Sequence, residues 1–185
     1  MISSRLGRRA RNPATTHNVS SFIAVPDSGP YWIYVGSGPE RDDSVANFTR
    51  ELGGPAIVMI DPKIGGYGHD ITSPPVEKDL MALAQDARCL GVLGSIPCRT
   101  WSPARAAPGE GTLAHSAPLR DKDHLLGFED ANGNLPAAVR HANKMADVLA
   151  AMCGAVLSRG GNCWVETSPS RGIGSAFPLE GRERF

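Results

Sequence analysis

Apolar residues fall into short blocks along this chain, separated by glycine, proline and polar residues. Tyr31-Trp32-Ile33-Tyr34-Val35 and Ala56-Ile57-Val58-Met59-Ile60 are aromatic and β-branched runs, which favour strands. Cys89-Leu90-Gly91-Val92-Leu93 and Asn162-Cys163-Trp164-Val165-Glu166 read the same way. Between these runs the period changes. Val45, Phe48 and Leu52 recur at helical spacing, and Gly53-Gly54 ends that helix. Val76 to Arg88 repeats the period with Leu80, Leu83 and Ala84. Pro136 suits the first turn of a long helix to Leu157, whose apolar stripe runs through Val139, Met145, Leu149, Cys153 and Val156. His69-Asp70-Ile71-Thr72 reads as a short further strand or a turn.

Strands alternating with helices predict an α/β fold. We expect a Rossmann-like, mostly parallel sheet with helices on both faces, its far edge minimal or lacking the last strands. Residues 1–29, rich in Ser, Arg, Asn and Pro, read as a basic, disordered tail. Residues 30–185 form the domain, with a long irregular loop at 103–135.

Composition narrows the class. The chain has 185 residues, 41% hydrophobic and 21% charged, which fits one globular domain with a real core. Formal net charge is zero, so the whole chain carries no electrostatic argument for nucleic acid or membrane. Arg5, Arg8, Arg9 and Arg11 concentrate positive charge in the tail. No apolar run approaches a membrane span, and no signal-peptide core follows the arginines. Cys89, Cys98, Cys153 and Cys163 form no Cys-x-x-Cys pair, so no disulfide scaffold or structural zinc site is expected. Reduced thiols fit an intracellular setting, cytoplasm or nucleus.

Three places carry candidate chemistry. Gly36-Ser37-Gly38 follows the first strand, where missing side chains let backbone approach a ligand. It is neither a full dinucleotide fingerprint nor a P-loop, and a plain tight turn is the alternative. Asp61 ends the second strand, where such folds grip ribose hydroxyls; it equally suits a turn before Pro62. Asp70 either accepts from an adenine amino group or caps a turn. Pro97-Cys98 then follows an apolar strand, with Arg99 and Arg105 nearby to favour the thiolate. Its bland alternative is an inert cysteine, the role assigned to the other three. Finally, Glu166 follows the last strand, either as an acid or base contact or as the ion-pair partner of Arg171. His115, Arg120, Asp121, Asp123 and His124 lie in the long loop without metal-ligand spacing, so no metal is expected. Pro118-Leu119-Arg120 is a candidate substrate-facing element.

A glycine turn, an acid, Pro-Cys and a glutamate at successive strand ends resemble the DNA cytosine methyltransferases that modify carbon 5. More broadly they resemble class I methyltransferases dependent on S-adenosylmethionine. The resemblance spans roughly residues 31–172. It implies cofactor contacts at Gly36, Ser37, Gly38, Asp61, Asp70 and Pro97, with Cys98 as nucleophile and Glu166 hydrogen-bonding the base. It further implies substrate contacts from Arg99, Arg120 and Arg171, and nucleic acid, DNA first, as partner. Two other readings stay open: an inactive or truncated Rossmann-like binding module, and an amino-group or small-molecule methyltransferase.

Overall fold

The computed structural model describes residues 23–96, 100, 119–120 and 123–166. Its strands are β1 (Tyr31–Val35), β2 (Ala56–Ile60), β3 (Cys89–Ser95) and β4 (Asn162–Glu166). Its helices are α1 (Val45–Glu51), α2 (Pro62–Gly65), α3 (Pro74–Gln85) and α4 (Ala137–Leu157), with a 3-10 turn at Gly66–His69. The strands form one parallel sheet in the order β2-β1-β3-β4, the expected α/β arrangement. His69-Asp70-Ile71-Thr72 adds no strand; it leaves the 3-10 turn for a bend that leads into α3.

Helices α3 and α4 cover one face of the sheet. Tyr31, Ile33 and Val35 point into it, all within 1% of full burial, together with Val58, Ile60 and Val92. Leu80, Leu149, Met152 and Val156 meet them from the helices. Lys144 and Glu77 bridge α4 to α3 at 2.6 Å. Buried Tyr31 donates its hydroxyl to Leu83 O at 3.1 Å, so its polar end is satisfied within the layer. Burial, with the Asp86 charge nearby, pushes its phenol well above the ordinary range and keeps it protonated. The packed unit reaches back past residue 30, because Ile23 is buried in the same core and Pro26 O accepts from Arg88 at 2.9 Å.

Among the described residues the opposite face is thinly covered. Helix α1 packs over β2 and the cavity floor, but buries only Ala46. Its predicted stripe points outward, with Phe48 61% and Leu52 71% exposed. Toward β4 the same face presents Trp32 stacked on Trp164 at 6.2 Å between ring centroids. Gly91 lies beneath that pair; a Cβ there would enter the Trp32 ring, so only glycine lets the indole lie flat on β3.

Among the described residues no helix is long and apolar enough to cross a membrane.

Candidate functional site

The strand order reverses at β1: β2 lies on one side of it and β3 on the other. Open α/β sheets bind ligands at such a switch point, beyond the carboxyl ends of the strands. All four candidate strand ends reach that edge. Gly36 follows β1, Asp61 follows β2, Ser95 ends β3, and Glu166 ends β4.

Gly36 sits at the hinge of this arrangement. Its N–H donates to Ile60 O at 2.7 Å, continuing the β1–β2 ladder by one step. Its φ is +71°, a left-handed value, and a Cβ would stand 2.5 Å from Ser95 O. Glycine is therefore required twice, for the backbone angle and for close approach to β3. The turn continues through Ser37, whose hydroxyl donates to Gly38 O at 3.0 Å.

Asp61 ties this turn to the next strand. Its Oδ2 accepts from Gly38 N at 2.9 Å, and its Oδ1 from Lys63 N at 2.7 Å. The second bond caps α2, so the turn-forming role weighed for Asp61 is present. Each carboxylate oxygen keeps a further lone pair for a ligand. Behind it, buried His69 accepts from Asp61 N at 3.3 Å through Nδ1, which fixes the strand end from the core side.

Gly36, Ser37, Gly38 and Asp61 line a cavity of about 380 Å³. Tyr34 and Met59, register partners on β1 and β2, form its apolar floor. Arg41, Asp43, Ser44 and Lys63 ring the mouth. Tyr34, Met59, Arg41 and Lys63 escaped the sequence reading. The floor pair was signalled only by the alternation within two strands. Lys63, two residues beyond Asp61, was the better clue.

Asp70 does not line this cavity. Its Oδ1 accepts from the Thr72 backbone at 3.0 Å and the Thr72 hydroxyl at 2.7 Å, which is the turn-capping alternative. Glu166 is exposed at the rim of β4, in register with Ser95, and its carbonyl accepts from Ile96 N at 3.5 Å. Pro97, Cys98, Arg99 and Arg171 lie outside the described residues. Ile96, the residue before Pro97, is half-buried against the core.

Arg120 is engaged within the protein. Its guanidinium donates to Leu125 O at 2.8 Å, Asn143 Oδ1 at 2.7 Å, the Thr100 hydroxyl at 3.2 Å and Val139 O at 3.4 Å. Partial burial holds its pKa below the ordinary arginine value. Thr100, two residues beyond Cys98, is buried. Arg120 thus ties Thr100 and Leu125 to α4 through Val139 and Asn143, a role its sequence position did not reveal.

The cavity brings together one buried carboxylate, two cationic side chains and an apolar floor. Among the described residues no cluster of three or more His, Cys, Asp or Glu is placed to hold a metal. In comparisons with known proteins, no family model, no curated protein and no solved structure matches this chain.

Proposed function

We propose that this protein is a methyltransferase that uses S-adenosylmethionine to modify cytosine at carbon 5 in nucleic acid, DNA being the first candidate. The observation that supports it best is the Gly38–Asp61 hydrogen bond of 2.9 Å. It makes the glycine turn after β1 and the acid after β2 one continuous cavity wall, beside the strand that leads to Cys98. Gly36, Ser37, Gly38 and Asp61 would hold the cofactor, with Asp61 accepting from ribose hydroxyls. When bound, that cofactor supplies an electrophilic methyl group.

The chain's own residues do the rest. The Cys98 thiolate adds to carbon 6 of the cytosine, which makes carbon 5 nucleophilic. Glu166 hydrogen-bonds the ring nitrogen and stabilises the adduct. After methylation, loss of the carbon 5 proton expels the thiolate and restores the ring. The base must leave the helical stack, since carbon 6 is enclosed within a duplex.

DNA containing 5-fluorocytosine tests the nucleophile. Fluorine at carbon 5 blocks the final elimination, so a covalent adduct accumulates in the presence of cofactor. Peptide mapping should place it on Cys98, and Cys98→Ser should abolish it. An adduct on another residue, or none at all with cofactor bound, overturns this route.

A further inference from the structure

Two thiols meet where α4 packs on β4, away from the cavity. Cys163 shares its sheet face with Val92 and Ile33, the face that α4 covers. Its Sγ lies 3.5 Å from the carbonyl oxygen of Cys153 on α4. Both residues are partly exposed at the margin of the core, so a small oxidant can reach them. Cys89, by contrast, is buried, and its thiol donates to Gly91 O at 3.5 Å.

We propose that Cys153 and Cys163 are an oxidation site that closes to a reversible disulfide and staples edge strand β4 to α4. The connection between them turns through Arg159-Gly160-Gly161, with Gly160 at φ +81°, and already holds the two elements side by side. The sulfurs need only close to about 2 Å.

Hydrogen peroxide is a sufficient oxidant. The Cys163 thiolate attacks one peroxide oxygen, the O–O bond breaks, and the departing hydroxide takes a proton to become water. Cys163 is then a sulfenic acid. The Cys153 sulfur attacks the Cys163 sulfur, the S–O bond breaks, and the Cys153 proton leaves with the hydroxide as a second water. Two thiols and one peroxide thus become one disulfide and two waters. Burial and the neighbouring Cys163 thiol push the Cys153 thiol up to about 12, which disfavours its thiolate and makes Cys153 the resolving partner. Glu166 lies three residues beyond Cys163, so the disulfide fixes the strand that carries it to the sheet edge.

Trypsin separates the two cysteines, because Arg159 lies between them. The full chain is exposed to a small excess of hydrogen peroxide, alkylated and digested without reduction. The expected product links peptide 145–159 to peptide 160–171, with a mass about 2 Da below their sum. Dithiothreitol should release both peptides, and Cys163→Ser should remove the link. The wild-type map decides even if that variant does not fold. Linkage of either cysteine to peptide 89–99, or oxidation of Cys163 to sulfinic acid with no crosslink, overturns the proposal.

Discussion

Gly36 shows how little freedom a single position retains at this sheet edge. Its positive φ and the 2.5 Å approach of a Cβ to Ser95 O leave no room for a side chain. Gly36→Ala should therefore cost about 2 kcal/mol or more, read as a lower midpoint in urea unfolding. Gly38 also has a positive φ, +68°, but faces open space. Gly38→Ala should cost less, about 1 kcal/mol, because only the backbone angle is strained. The glycine turn was legible in the sequence. Which glycine bears the close contact was not, since Ser95 lies far along the chain.

Acid acts on Asp86. The Arg88 guanidinium, 2.7 Å from Asp86, holds that carboxyl below the usual carboxylate range. A folded-state pKa below the unfolded one gives stability that is full above the unfolded value, about 3.9. It is lost as pH falls through the folded value. Asp86→Asn should therefore flatten the acid limb of a stability–pH curve below about pH 4, relative to wild type. Equal acid slopes in the two proteins would remove Asp86 from that account.

At the scale of elements, the strongly periodic segments were readable because burial imposes their pattern. Helix α4 begins one residue after Pro136 and buries Val139, Met145, Leu149 and Val156 as its stripe requires. Helix α1 shows where periodicity runs out. Val45, Phe48 and Leu52 have the spacing of a buried face, yet all three are exposed and only Ala46 is buried. Spacing identifies a helix, but not the layer it packs against. Arg120 escaped for a related reason, since its partners Thr100, Leu125, Val139 and Asn143 come from separate stretches of chain. Arg120→Ala should cost about 2 kcal/mol by stranding these acceptors. Hydrogen exchange should show the loss as faster exchange at the amides of Gly127 and Phe128, which bond His124 O and Leu119 O. Lys reaches one acceptor where arginine forks to several, so Arg120→Lys should recover less than half of it.

At the scale of the whole molecule, α3 and α4 cover one face of the parallel sheet deeply, and among the described residues α1 covers part of the other. The cavity lies on that side, between α1 and the ends of β1 and β2. Topology and the acid–glycine link both converge there, as the alternation of strands and helices implied. Its floor and mouth became readable only once the register paired Tyr34 with Met59. Whether this cavity holds the proposed cofactor is read from titration calorimetry of the full chain with S-adenosylhomocysteine. Wild type and Asp70→Ala should bind saturably, and Asp61→Ala should lose roughly tenfold or more in affinity, about 1.4 kcal/mol. No binding at millimolar ligand, or undiminished binding by Asp61→Ala, would contradict this assignment.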